Sequence, residues 1–162
     1  MKDIPDLLDS LRRSAHILSE FAKSIPIDKM NLCRGKGFWT IAEHVSHLAQ
    51  VQTMLLERLQ RFIDEDRPEF VPYIPGADEA EDRPPLMDQN IALESFANHR
   101  QKQLELLERA TQTDWQKTGS HPEYEHYSLY ILVRHILMHD HWHMYRMEEL
   151  WLARDAYLTK LE

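Results

Sequence analysis

Four long segments in which apolar residues recur at helical spacing set the strongest constraint on the fold of this 162-residue chain. They span about residues 4 to 24, 41 to 65, 88 to 110 and 128 to 157. Only four glycines are present, and no segment alternates polar and apolar residues as a half-buried strand does. The sequence therefore predicts an all-α fold, in which residues 1–162 form a single four-helix-bundle domain.

Residues that begin helices support these segments. Asp3 suits the N-cap of the first helix, and Thr40 with Glu43 forms a capping-box pattern at the start of the second.

The connections between helices are long and unequal. Residues 67–86 hold five of the eight prolines and are predicted to form a long crossover loop. Residues 111–127 are predicted to form a second irregular connection.

The helical spacing also predicts which side chains face the core. On the second helix these are Ile41, Val45, Leu48, Leu55, Leu59 and Phe62. On the third helix they are Leu93, Phe96, Ala97, Leu104 and Leu107. On the fourth helix they are Leu129, Leu132, Val133, Ile136, Met147, Leu150 and Trp151.

Composition excludes several classes of protein. The formal net charge of −8, with no cluster of lysine and arginine, argues against nucleic-acid binding. No apolar run approaches the roughly 18 residues that a membrane span needs. The acidic N-terminus differs from a signal peptide, so a cytoplasmic location is expected. The single cysteine, Cys33, excludes an internal disulfide and a cysteine-rich zinc site, so a metal site would rely on the ten histidines.

The stretch HDHWH, residues 139–143, concentrates polar side chains on the fourth helix. His139 and His143 stand one turn apart and face the apolar stripe, Asp140 lies close to the centre of that stripe, and His141 points away. Buried imidazoles and carboxylates need partners. Two interpretations satisfy this need: a metal ion held by both imidazoles, with Asp140 binding a ring N–H, or a hydrogen-bonded polar cluster in the core.

A third metal ligand would have to come from another helix. The second helix offers His44 and His47. Periodicity places His44 nearer the centre of the apolar face and His47 at its flank, so spacing alone favours His44.

Two stretches, GFWTIAEHVSHLAQ (37–50) and LVRHILMHDHWHMYRMEELW (132–151), together resemble the DinB-like (YfiT-like) family of metalloenzymes. The family pattern places a histidine eight positions after a tryptophan, which here is His47 after Trp39. It continues with a His-x-x-x-His pair on the last helix, which here is His139 and His143. The resemblance implies a four-helix bundle in which these three histidines hold one divalent ion per chain.

The resemblance also implies a function. The expected protein is an enzyme that uses zinc or nickel, with iron or manganese as further candidates, and acts on a small molecule by hydrolysis or by transfer that depends on a low-molecular-weight thiol. The alternative is a non-catalytic, stress-related bundle that binds a metal or a small ligand. Under either expectation His44 and Asp140 would support the ligands. Many relatives carry glutamine three residues after the last histidine, whereas this chain has Arg146, which favours an anionic or carbonyl-bearing substrate.

A second apolar stripe runs along the fourth helix, opposite the core stripe. Its residues include Met138, Trp142 and Tyr145. A helix that is apolar on two sides must be covered twice. Either one of the long loops packs on this stripe or a second subunit does. We expect a homodimer in which these three residues are candidate contacts, as the resemblance also implies.

Six further residues carry chemistry that a site could use: Cys33, Arg34, Lys36, Glu43, Tyr73 and His99. Each also has a simpler interpretation. Glu43 is explained by the capping box, the cysteine lacks a matched histidine motif, and the basic pair suits a solvated loop. His99 lies at the margin of its apolar face, and Tyr73 belongs to the proline-rich loop, which is long enough to cover a site.

Overall fold

The computed structural model describes residues 2–35, 37–72 and 83–154. Four long helices occupy most of this range: α1 (Ile4–Ser24), α2 (Ile41–Asp64), α3 (Gln89–Glu108) and α5 (Leu129–Leu152). The smaller elements are a 3₁₀ turn (Ile27–Lys29), a short helix α4 (Gln112–Gln116) and an antiparallel hairpin of β1 (Thr118–His121) and β2 (Tyr124–Ser128). None of the helices within the described ranges is both long and apolar enough to cross a membrane.

The starts of the helices follow local capping chemistry. Thr40 and Glu43 form the predicted capping box: each side chain accepts a hydrogen bond from the other residue's N–H. The Ser128 side chain caps α5 by accepting a hydrogen bond from the Ile131 N–H. Asp3 is the N-cap residue of α1 but makes no capping hydrogen bond. Its carboxylate accepts a hydrogen bond from the Tyr130 hydroxyl instead, which joins the start of α1 to α5.

Each long helix packs against two others. Both α1 and α2 pack against α3 and α5, so α1 lies diagonally opposite α2, and α3 lies diagonally opposite α5. The segment between α1 and α2 therefore crosses one end of the bundle, and the segment between α3 and α5 crosses the other. The predicted all-α four-helix bundle is confirmed. Residues 73–82 of the predicted 67–86 loop lie outside the described part of the chain.

Two details differ from the sequence prediction. Residues 118–128 form a hairpin rather than an irregular connection. Its strands have four and five residues, and Tyr127 is buried between exposed or half-buried neighbours, so the run is too short to show an alternating pattern. The fourth long helix also ends at Leu152, before the predicted end near residue 157, because Ala153 takes an extended conformation.

Gly119 is needed where the hairpin meets the segment after α2. A Cβ at this position would lie 2.8 Å from the Pro68 carbonyl oxygen, closer than real contacts allow. The close approach permits Ser120 N–H to donate to the Pro68 carbonyl and Phe70 N–H to donate to the Ser120 carbonyl. These bonds hold the hairpin against the bundle.

A polar layer divides the core into two apolar clusters. Along α1, Ser14 separates Leu11 of one cluster from Leu18 of the other. The layer consists of five buried residues from four helices: Ser14, Gln52, Arg100, Gln103 and Asp140. The inward position predicted for Ala97 is wrong, because Ala97 is exposed and Arg100 turns into the core.

Candidate metal centre

Three histidines from two helices converge inside the bundle. His139 Nε2 lies 3.2 Å from both His47 Nε2 and His143 Nε2. When one ring nitrogen is taken from each histidine, the three nitrogens all lie within 4.8 Å of one another. Two imidazole nitrogens on one tetrahedral ion stand about 3.4 Å apart, because each lies about 2.1 Å from the metal. The cluster therefore has the dimensions of a three-histidine metal site.

Hydrogen bonding alone satisfies this cluster poorly. A neutral ring nitrogen carries either one hydrogen or one lone pair. His139 Nε2 faces two other ring nitrogens at equal distance, so a single hydrogen cannot serve both contacts well. A divalent cation accepts all three lone pairs at once. Of the two interpretations left open by the sequence, this geometry favours metal binding over a hydrogen-bonded polar cluster.

Burial keeps these imidazoles in the neutral form that a metal requires. It lowers the pKa of His47 to about 3 and the pKa of His139 to about 4. The pKa of His143 is also lowered, first by burial and then by the charges that its histidine neighbours would carry. At neutral pH each ring therefore offers a lone pair without first losing a proton.

His44 supports the cluster from behind. Its Nδ1 lies 2.8 Å from His143 Nδ1, and this contact leaves His143 Nε2 directed toward the other two histidines. Burial lowers the pKa of His44 to about 4, so it too is neutral. Spacing alone favoured His44 as the ligand from α2, whereas the structure groups His47 with the pair on α5. The His44 ring therefore lies where it fixes the orientation of His143, one of the three candidate ligands.

Tryptophans pack against the same rings. The Trp39 ring stacks on His143, with centroids 5.9 Å apart, and lies 4.8 Å from the His47 ring. Trp142 meets His143 edge-on at 4.7 Å. The bulky rings restrict the rotamers of the imidazoles and therefore hold the cluster in shape.

Asp140 occupies a different environment from the one that the sequence predicts. It is fully buried, but its Oδ2 accepts hydrogen bonds from Arg100 Nη1 at 2.8 Å and from Ser14 Oγ at 2.9 Å. Neither carboxylate oxygen bonds an imidazole of the cluster: among the described residues, Asp140 Oδ1 and His139 Nδ1 have no hydrogen-bond partner. The rotation of about 100° between neighbouring helical residues explains this, because it turns Asp140 toward α1 and α3 while the histidines face α2.

The three imidazoles lie on the wall of a cavity of about 580 Å³. This volume falls within the range of small-molecule sites. A ligand set of three nitrogens beside open space is typical of catalytic metal sites, which keep a coordination position for water or substrate. Sequence reasoning did not place the hairpin in this wall, yet it contributes His121, Glu123, Tyr124 and Tyr127.

Arg146 lines the cavity one turn beyond His143 and is buried. Its guanidinium is paired with the Glu149 carboxylate, three residues along the same helix. Arg34, from the loop before α2, lies on the other side of that carboxylate and also lines the cavity. The i, i+3 spacing of Arg146 and Glu149 is the sequence pattern from which this pair could have been predicted.

Three of the other candidates, Glu43, Cys33 and His99, do not line the cavity. Glu43 pairs with Arg83 at 3.2 Å in addition to capping α2. Cys33 is exposed. His99 donates its Nδ1 hydrogen to the Ser95 carbonyl on its own helix. Lys36 and Tyr73, the remaining two, lie outside the described residues.

Fold and site together define a four-helix bundle that carries a three-histidine cluster on the wall of an open cavity. The DinB superfamily model matches residues 10–154, and the chain belongs to this superfamily. Among solved structures, YfiT from Bacillus subtilis superimposes with a TM-score of 0.79 and 18% identity, covering 93% of this chain and 86% of YfiT. YfiT is described as a probable metal-dependent hydrolase with an unusual four-helix bundle topology. No curated protein matches the sequence.

The depressed pKa values predict an acid-sensitive metal-free protein. In the unfolded chain a histidine binds a proton below about pH 6.5, whereas folded His47, with a pKa of about 3, does not. The unfolded state then binds more protons, so the free energy of unfolding decreases as the pH falls from 7 to 5. One such histidine accounts for about 2 kcal/mol at pH 5. Urea denaturation of chelator-treated protein at both pH values measures this change.

The matched control for this titration is His47→Gln. Between pH 7 and pH 5 the free energy of unfolding should decrease in both proteins. We expect the decrease to be smaller by about 2 kcal/mol in the variant, because it lacks the histidine that takes up a proton on unfolding. Equal decreases in both proteins would show that His47 has the same pKa in the folded and unfolded states, and a smaller decrease in the original protein would show that folded His47 is already protonated.

Proposed function

We propose that this protein is a metal-dependent enzyme that hydrolyses a small molecule and holds one divalent ion through His47, His139 and His143. The observation that carries this proposal is the convergence of three imidazoles, two buried and one half-buried, at the wall of an open cavity. Imidazole ligands suit zinc or nickel first, with iron or manganese as further candidates.

A divalent ion held there supplies a Lewis acid that polarises a substrate carbonyl and lowers the pKa of water. The protein's own residues provide the setting for this chemistry. His44 orients the His143 ring. Trp39 and Trp142 line the cavity beside the histidines and contact the His143 ring. Arg146 places a positive charge on the same wall, where a substrate oxyanion gains from it.

The description of YfiT supports hydrolysis as the reaction type, because this chain shares its fold over most of both lengths. Transfer dependent on a low-molecular-weight thiol is the alternative reaction for the same residues, since a divalent ion also binds thiolates. A non-catalytic metal-binding or small-ligand-binding protein, with a stress-related role, is the alternative function.

A turnover screen tests the proposal. Protein purified without a histidine tag is reconstituted with zinc or nickel and assayed against small esters, amides and lactones, with and without an added thiol. We expect hydrolysis that is lost in His139→Gln and kept in His141→Gln, whose side chain is exposed on the same helix. Turnover only with thiol would favour transfer. Stoichiometric metal without histidine-dependent turnover would identify a binding protein instead.

We also propose that the second apolar stripe of α5 is the contact surface of a homodimer. Met138, Trp142 and Tyr145 are 64%, 50% and 57% exposed, which is high for large apolar side chains. We expect Trp142→Glu to convert a dimer into a monomer, because a carboxylate is costly to bury in an apolar contact. Light scattering after size-exclusion chromatography measures the mass, and Glu148→Gln, on an exposed polar position of the same helix, is the control. A dimer that survives Trp142→Glu would rule out this surface.

A further inference from the structure

A charged cluster of three residues lies on the cavity wall beside the histidines. The Glu149 carboxylate stands between two guanidinium groups: one oxygen contacts Arg146, and the other lies 3.8 Å from Arg34 Nη2. All three side chains are largely withdrawn from solvent, with 9% or less of each exposed. Both arginines line the cavity. Two of their nitrogens are directed to Glu149, whereas an arginine carries five N–H donors.

Counted over the described part of the chain, this cluster carries a surplus positive charge. Two guanidinium groups and one carboxylate sum to +1. At the hairpin end of the same cavity, Arg58 and Glu123 balance each other. The surplus therefore belongs to the end that holds Arg34 and Arg146. It contrasts with the formal net charge of −8 for the whole chain. A buried surplus charge is costly unless a counter-charge joins it, and a cavity with low-dielectric walls concentrates its field.

Resting on the metal-dependent function proposed above, we propose that Arg34 and Arg146 bind a carboxylate group of the substrate. A carboxylate carries one negative charge, which matches the surplus, whereas a phosphate monoester carries about 1.5 to 2. The planar fork of arginine also suits the two oxygens of a carboxylate. Trp39 and Trp142 lie beside this end of the cavity and offer a surface for an apolar or aromatic body.

The site's preference is tested with benzoate and its neutral isostere benzamide. Binding to the full-length protein is measured by ligand-observed NMR titration, first after metal removal and then with zinc bound. In the metal-free protein we expect benzoate to bind at least about tenfold more tightly than benzamide, because hydrogen bonds to a charged group are about twice as strong as neutral ones. Equal affinities would show that the cavity recognises only the ring, and would overturn the proposal.

Two substitutions in the charged cluster are expected to act in opposite directions. Arg146→Gln reduces the surplus charge to zero, so benzoate should bind about tenfold more weakly. Glu149→Gln raises the surplus to +2, so benzoate should bind as tightly or more tightly. A structural role for the cluster predicts weaker binding in both variants, which would contradict the proposal. If Arg146→Gln does not fold, as judged by circular dichroism, Arg34→Gln removes the same charge from the loop side.

The zinc titration separates this proposal from the proposed metal site. Benzoate binding that depends on zinc but is unchanged in Arg146→Gln would mean that the metal takes the carboxylate, and would overturn the arginine site alone. Arginine-dependent benzoate binding in a protein that takes up none of zinc, nickel, iron and manganese would support the arginine site and overturn the metal-dependent function.

Discussion

Replacing His139 with glutamine is expected to lower the zinc affinity of this protein by roughly 100- to 1000-fold. A protein-held zinc ion contributes about 10–16 kcal/mol of binding free energy, shared among about four ligands. Removing one ligand therefore costs about 2.5–4 kcal/mol. His139 Nε2 is the central nitrogen of the cluster, since it lies 3.2 Å from both of the others. Competition with a chromophoric chelator measures the affinity.

Comparison with neighbouring histidines makes this test specific. His141→Gln should leave the affinity unchanged, because His141 is exposed on the same helix. His44→Gln should weaken binding by only about 10- to 100-fold, the usual effect of losing a residue that orients a ligand. If His44→Gln costs as much as His139→Gln while His47→Gln costs little, the ligand from α2 is His44 and the proposed ligand set is wrong.

The largest expected effect on stability comes from Arg100→Met. This substitution preserves much of the side-chain volume but leaves the Asp140 carboxylate, which is 0% exposed, without its guanidinium partner. Removing one partner of a buried ion pair typically costs about 3–5 kcal/mol. We expect the free energy of unfolding to decrease by this amount in urea denaturation.

Two controls show whether burial causes the effect. In the double variant Arg100→Met, Asp140→Leu neither charge of this ion pair remains, and most of the lost stability should return. Arg13→Met breaks an exposed ion pair, in which the Arg13 side chain is 73% exposed and the Asp9 side chain 49%. This substitution should change the free energy of unfolding by less than about 1 kcal/mol. Equal losses from Arg100→Met and Arg13→Met would show that the polar layer does not stabilise the bundle as inferred.

The long helices were predictable because helix formation depends largely on neighbours in sequence. The capping box of Thr40 and Glu43 lies within one turn, and the apolar stripe of α2 repeats along one element. The hairpin was missed because its stability comes from contacts distant in sequence, such as the bonds between Ser120 and the segment after α2. Arg100 was missed for a related reason: a charged residue is expected at the surface, unless a partner from another helix, here Asp140, meets it in the core.

The candidate site also has one part that the sequence determines and another that depends on tertiary packing. The i, i+4 spacing of His139 and His143 by itself determined that both imidazoles share one face of a helix, because that relation depends only on helical geometry. The choice between His44 and His47 depends on how α2 is rotated and shifted against α5, and both residues are buried. Spacing within α2 favoured His44 and the family resemblance implied His47, but only the tertiary structure shows the His47 ring beside the pair and His44 behind His143. The reason is physical: the packing of α2 against α5 is set by side chains along both whole helices, not by the spacing within either one.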